Sequence, residues 1–484
     1  MMKKTWTIVF LGLLVYFPVL FNSFVWDDEV MFQKAGSIPG TVYFRPVISA
    51  LYWGIYNIFG PRPFFFHFFQ LIFHIATAVL IYYLFKRFFK ETISLILAAI
   101  FLVHPASVEA VSFASAMQEV GFTLVGIIGL YLFTHRDVIN HVSTTNIFFG
   151  ALLLLISLLM KETAIVFFLL IFCYLFLFKK NQIVLISYSI FSMILLMTYF
   201  LFRVSGGSLY VQGQGLFPIM RVSLVTRLMN IPMIILYYLG KFFYPMHLAI
   251  AQHWVVRTVD FQNFWLPLII IIGFILFGIF MSRLNKPFLF FFLWFILGIL
   301  PHLQIIPLNM TVAERWLYFP MIGLLGMIGT ILSKLQIIND KSQINFKSQI
   351  KSKTIFILLI IIIIVFSVRS FVRVLDWRNG LSLFGRDIRQ DSSFDLQNNI
   401  GVELFRIGQY KEAKKYFEKS VKLAPYWWVN WNNLGTIYER EKNYQKAKEY
   451  YQKAIDNGQY YLAYENLSKL NKYLQSGSTE PTKY

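Results

Sequence analysis

Apolar residues come in long runs through most of the chain. The runs fall at roughly 5–24, 63–85, 92–104, 119–134, 146–160, 163–178, 183–202, 229–247, 263–281, 287–306, 315–332 and 354–370. A helix needs about 20 apolar residues to cross the hydrocarbon core of a bilayer, and these runs lie near that length or somewhat below it. The pattern therefore predicts a bundle of membrane helices joined by short polar segments. The run at 92–104 is short and is expected to continue through Pro105.

Lysine-rich segments orient the bundle, because cytoplasmic loops carry an excess of Lys and Arg. Lys3-Lys4, Lys86-Arg87 with Lys90, Lys179-Lys180 and the stretch Ser333–Lys353, with five lysines and one acid, mark one side. An outside loop at Asn309–Glu314 then requires an odd number of crossings after Lys180, although four runs lie between. The run at 229–247 contains Pro232, Lys241 and Pro245 and follows a Gly-rich polar stretch, Arg203–Arg227. It is assigned to the membrane surface. About eleven crossings result, with the N-terminus inside and the C-terminus outside.

After Phe371 the pattern becomes amphipathic, and Trp377 is read as an interfacial anchor. From Phe394 the chain repeats itself at 34 residues: Gly401 and Gly435, Ala413 and Ala447, Phe417 and Tyr451 correspond. The period, with Trp431-Asn432-Asn433-Leu434-Gly435 and Tyr438, fits helix–turn–helix tetratricopeptide repeats. Tyr464–Leu474 reads as a third, partial repeat that caps the array. The expected division is a membrane domain at 1–375, a linker helix at 376–393, repeats with their cap at 394–476 and a disordered tail at 477–484.

Composition agrees. Hydrophobic residues are 57% and charged residues 14%, against a net charge of +20. About 27 of the 44 Lys+Arg and 11 of the 24 Asp+Glu precede residue 376, so the positive excess sits in the membrane half. Cytoplasmic loops and sites for anionic lipid account for it, and no basic soluble face points to nucleic acid. The single cysteine, Cys173, excludes an internal disulfide or a thiolate cluster. The N-terminal run lacks a small-residue cleavage site and reads as a retained anchor.

Candidate chemistry gathers on the face opposite the lysines. Trp26-Asp27-Asp28-Glu29 stands just beyond the first run. Carboxylates there can act as bases, bind a metal or cap the next helix. His67, Gln70 and His74 share one helix face, which their polarity turns inward, either for hydrogen bonds between helices or for a role near a substrate. His104-Pro105, Glu109 and Glu119 follow the third run. Lys161-Glu162 interrupts an apolar stretch, and Glu314-Arg315 opens another. Arg315 is either an interfacial anchor beside Trp316 or a bidentate phosphate ligand. No Gly-rich phosphate loop, His-Glu-x-x-His or Gly-x-Ser-x-Gly is present.

Taken in order, Phe24-Val25-Trp26-Asp27-Asp28, Phe44-Arg45-Pro46, Phe66-His67 with His74, His104-Pro105 with Glu109-Ala110-Val111, Lys161-Glu162, Ala313-Glu314-Arg315 with Leu317-Tyr318 and Pro320, and the repeats resemble one family. It is the transmembrane-and-tetratricopeptide-repeat O-mannosyltransferases and their bacterial relatives, within the GT-C superfamily of membrane glycosyltransferases. The chain departs from that pattern at Gln70, at Met117-Gln118-Glu119 and at Thr163-Ala164, and its repeat array is short.

The resemblance implies an all-α, polytopic membrane protein of GT-C type with a C-terminal α-solenoid. It also implies an inverting transfer of a sugar, with mannose one candidate, from a polyprenyl-phosphate donor to a hydroxyl of a protein or glycan. The acceptor would dock on the repeats, and the catalytic loops and repeats would face outward from the cell membrane. One of Asp27 and Asp28 would be the base, the other orienting the acceptor or holding a metal; Glu29-Val30 favours Asp28. Arg315, Lys161 and Arg45 would bind the donor phosphate. Glu109, Glu162, Glu314, His67, His74 and His104 complete the expected site. A divalent cation, Mg or Mn, on Asp27 and Glu109 stays open, as do two other functions: a non-catalytic scaffold, and a lipid-linked sugar flippase or polysaccharide polymerase.

Overall fold

The computed structural model of the chain describes residues 2–34, 44–134, 144–179, 181–205, 216–334, 346–458 and 460–476. The expected tail, most of the lysine-rich stretch and the centre of the Gly-rich stretch lie outside them. Among the described residues the fold is all helical, with a lone bridge between Gln252 and Val312. The apolar half holds α1 (Met2–Tyr16), α2 (Pro46–Phe59), α3 (Pro63–Phe85), α4 (Glu91–Val103), α5 (Val108–Ser112), α6 (Met117–Thr134) and α7 (Thr144–Met160). It continues with α8 (Ile165–Tyr174), α9 (Gln182–Ser205), α10 (Leu224–Phe243), α11 (Leu266–Leu284), α12 (Lys286–Ile299), α13 (Pro320–Lys334) and α14 (Phe346–Asp376). After these come α15 (Gly380–Asp387), α16 (Phe394–Arg406), α17 (Tyr410–Leu423), α18 (Trp428–Arg440), α19 (Tyr444–Gly458) and α20 (Tyr461–Ser476).

Seven described segments are long and apolar enough to cross a membrane. An eighth arises if Glu91–Val103 and Pro105–Ser112, bent by 51°, form one broken span. The break falls where Pro105 removes a backbone donor, so the run does not continue straight. Phe148–Met160, Lys286–His302 and Pro320–Lys334 are shorter apolar helices. Helix α10, assigned to the membrane surface, is not among the candidate spans.

Packing is tightest where glycine lets backbones meet. A Cβ on Gly323 of α13 would lie 2.5 Å from the Phe295 backbone nitrogen of α12. The repeats use the same device: the Cβ position of Gly401 is 2.5 Å from the Phe417 ring, and that of Gly435 is 2.6 Å from the Tyr451 ring. The residues in register 34 apart in sequence thus do the same job in both hairpins.

Trp377 is not an interfacial anchor. It is fully buried, 5.8 Å from the Phe113 ring, with the Arg373 guanidinium 5.9 Å from its own ring. It joins α14 to the segment after α5.

The two ends of the apolar half differ in chemistry. Lys4 and Lys86 meet Glu91 at 3.0 and 3.6 Å, and Arg87 bonds the Tyr131 hydroxyl at 2.8 Å. The acids and cations of the candidate site gather at the other end, where the repeats also pack.

Candidate active site

The site is built on one turn. Phe24 and Val25 are buried, and the Asp28 N–H returns to the Val25 carbonyl at 3.1 Å. Trp26 closes this turn with φ of 54°, a left-handed conformation that costs a bulky residue of order 1–3 kcal/mol. Contacts hold it there: its ring stacks on Phe113 at 6.3 Å and meets Phe384 edge-on at 6.5 Å. As a result the two adjacent acids go to different places.

Asp28 turns inward and is fully buried. Its carboxylate accepts from the Ser115 N–H at 2.7 Å, the Ser115 hydroxyl at 2.5 Å and the Ala114 N–H at 3.2 Å. Burial pushes its carboxyl up to about 7 against the pull of these bonds. Asp27 is exposed, and no hydrogen bond to it is formed among the described residues. The protein around it raises its carboxyl, Arg315 pulls it down, and Asp395 of α16 raises it again. An exposed carboxylate thus lies within the electrostatic reach of a guanidinium.

Each expected phosphate ligand has an acidic partner. Arg315 is 8% exposed and Trp316 6%, so the pair does not act as an anchor at the surface. The Arg315 guanidinium bonds Glu109, whose other oxygen accepts the Arg315 N–H at 2.9 Å. The Phe113 and Trp316 ring centres lie 5.8 and 5.7 Å from the guanidinium carbon. Lys161 pairs with Glu119, both buried. Arg45 bonds Glu162 through two nitrogens, at 3.0 and 2.6 Å. The Tyr52 hydroxyl, bonded to the Ala114 carbonyl at 3.0 Å, feels the charges of both Asp28 and Arg45. These residues form one connected region.

The three expected histidines lie within the helix packing. His74 donates to the Leu102 carbonyl and accepts from the Tyr318 hydroxyl, each at 2.9 Å. His104 accepts from the Ala106 N–H at 3.2 Å and donates to the Phe242 carbonyl at 3.0 Å, pinning the bend at Pro105. Gln70 donates to the Ala110 and Phe113 carbonyls at 2.6 and 2.8 Å. His67 is fully buried, its ring against the Asn22 and Ser23 backbone. Glu314 accepts from the Ala249 N–H at 2.6 Å, and burial pushes it up to about 8.

Sequence reasoning missed His302, which stacks flat on Trp316 at 4.9 Å beside Lys161, Glu162 and Arg315. It also missed the buried pair of Arg373 with Asp387, at 2.5 and 2.9 Å. A lone histidine after a proline, and an arginine in the last turn of an apolar helix, carry no spacing signal.

A divalent cation does not fit the residues as they stand. Among the described residues, no three of His, Cys, Asp or Glu come together to hold one. Both Glu109 oxygens serve Arg315, which leaves Asp27 without the partner the metal required.

The architecture is that of a multi-pass helical membrane protein carrying tetratricopeptide repeats. The tetratricopeptide repeat family matches residues 394–427 and 430–461. Two proteins from Drosophila melanogaster are similar to the chain. Protein O-mannosyl-transferase Tmtc3 is 30% identical over 133 residues, 27% of this chain and 13% of that protein. Protein O-mannosyl-transferase Tmtc2 is 28% identical over 114 residues, 24% of this chain and 11% of that protein. The matches therefore cover a small part of either relative. No solved structure matches at the same stringency. The resemblance drawn from the motifs is supported by these two relatives and by the repeats.

Proposed function

We propose that this chain is an inverting membrane glycosyltransferase. It moves a sugar from a polyprenyl-phosphate donor, with mannose suggested by the names of its relatives, to a hydroxyl of a protein or glycan. The reading includes about eleven crossings, made by the long and the shorter apolar helices together, with Asp27 and the repeats outside the cell membrane. The observation that carries it is the exposed carboxylate of Asp27 within the electrostatic reach of Arg315, whose own pair with Glu109 is buried, as is the pair of Lys161 with Glu119.

In this reading Asp27, rather than Asp28, is the base. Asp27 takes the acceptor's hydroxyl proton, and the oxygen attacks the anomeric carbon. The bond from that carbon to the phosphate oxygen breaks, and its electron pair leaves with the phosphate. Arg315 stabilises the charge that develops there, with Lys161 and Arg45 nearby. Asp28, saturated by Ser115 and Ala114, holds the turn. No step is routed through a metal.

A panel of polyprenyl-phosphate sugars, offered to membranes containing the protein, tests the activity. Asp27→Asn keeps shape and removes basicity, so it is expected to bind donor normally and lose turnover by roughly two or more decades. Asp28→Asn should lose less at equal folded protein. Wild-type turnover in both variants overturns the transferase and favours the scaffold.

A further inference from the structure

We infer that the first repeat helix, α16, belongs to the transfer site, with Arg406 as a positioning residue that holds the catalytic turn through Glu29. The inference rests on the reading above.

Glu29 stands two residues after Asp27. Arg406, in the last turn of α16, bonds both its carboxylate oxygens, at 2.8 and 2.5 Å. Glu403 fixes the same guanidinium at 2.7 Å. The opposite end of α16 is anchored as well. Asp395 is 2% exposed and bonds His253 at 2.7 Å and the Ser393 hydroxyl at 2.6 Å. Phe217 stacks on His253 at 5.3 Å, and His253 packs against Phe394 at 5.1 Å. A third contact comes from α15, where Phe384 meets Trp26. The left-handed turn is thus gripped from the membrane side by Phe113 and from the repeat side by Phe384 and Arg406.

Repeats on a free tether would serve only to gather acceptors. Repeats fastened at Glu29 also set where Asp27 points. A base displaced by about 1 Å can lose some hundredfold in rate. The clamp therefore belongs to turnover, whereas a docking surface belongs to acceptor KM.

The test uses the full chain with Cys173→Ala. Arg406→Glu is expected to lower kcat about ten- to a hundredfold, for acceptor transfer and for donor hydrolysis by water alike, with acceptor KM little changed. Arg406→Lys should retain part of the rate, and Glu29→Arg with Arg406→Glu should restore part of it. A raised acceptor KM with donor hydrolysis at the wild-type rate overturns the inference and leaves the transferase standing. A second measurement is independent of turnover. An impermeant thiol reagent should label Asp27→Cys faster when Arg406→Glu is also present. Equal labelling rates overturn the clamp even in a protein that transfers no sugar.

Discussion

The two ends of the apolar half use the same residue types in opposite ways. At the lysine-rich end, Lys4, Lys86 and Glu91 form pairs whose side chains are 42%, 26% and 39% exposed. At the other end, Lys161 and Glu119 are 5% and 4% exposed, Arg315 and Glu109 10% and 0%, and Arg373 and Asp387 1% and 0%. Exposed pairs contribute little to stability. Buried pairs carry a desolvation penalty of several kcal/mol per ion. A fold that keeps three of them at one end is bearing a cost that packing does not require. The charges at that end are buried at a cost, and those at the other end are left exposed.

The comparison breaks most visibly at Glu109. Glu109→Ala leaves a buried guanidinium without its counterion, which costs about 3–5 kcal/mol. Thermal unfolding in detergent should show this as a large fall in midpoint. A midpoint near wild type would mean that Arg315 finds water or another acid, and the contrast between the ends would lose its basis.

Arg315→Lys is the next largest effect. The charge stays, but the fork that reaches Glu109 and a phosphate together is lost. Donor affinity should fall about tenfold, a difference of ~1.4 kcal/mol, with folded protein at wild-type level. Full affinity would make Arg315 a partner of Glu109 and nothing more.

A smaller effect concerns pH. In the proposed mechanism Asp27 works as a base only when ionised, and the protein packed around it raises its carboxyl above the usual range. Turnover should therefore be lost as pH falls through that raised value. The charged groups facing Asp27 are Arg315, which lowers it, and Asp395, which raises it; Asp28 is its neighbour in the chain. Asp395→Asn removes an acidic charge, so the acid limb of kcat/KM should move to lower pH. No movement, or movement upward, would place Asp395 outside the reach of Asp27.

Much of this is legible in the sequence. Apolar runs mark helices because membrane burial tolerates few other patterns. The repeat was readable because Gly401 and Gly435 meet rings at 417 and 451, a period written in side-chain volume. The candidate site was legible as a set of short motifs that fall at one end. What could not be read was the direction of each side chain. Asp27 and Asp28 are neighbours in sequence, and Glu29-Val30 favoured Asp28 as the base. The left-handed φ of Trp26 separates them, and nothing in its side chain announces that conformation. Pairing was equally hidden. Glu119 stands 42 residues from Lys161, and Glu29 stands 377 from Arg406, so only the folded chain brings them together.

The smallest expected effect lies at the lysine-rich end. Glu91 accepts from the Tyr82 hydroxyl at 2.7 Å and meets Lys4 and Lys86, so it makes more contacts than Glu109 does. Counted by contacts alone, its loss should matter more. Counted by burial, it should matter less, because water replaces each partner that Glu91→Gln weakens, and salt already screens them. The expected result is no resolvable change in unfolding midpoint or turnover, and no change in orientation, since removing an acid leaves Lys4, Lys86 and Arg87 in place on that side. Measured beside Glu109→Ala in the same detergent, Glu91→Gln separates the two ways of counting. If it destabilises as much, the two ends are energetically alike, and buried charge no longer singles out the Asp27 end as the place where chemistry happens.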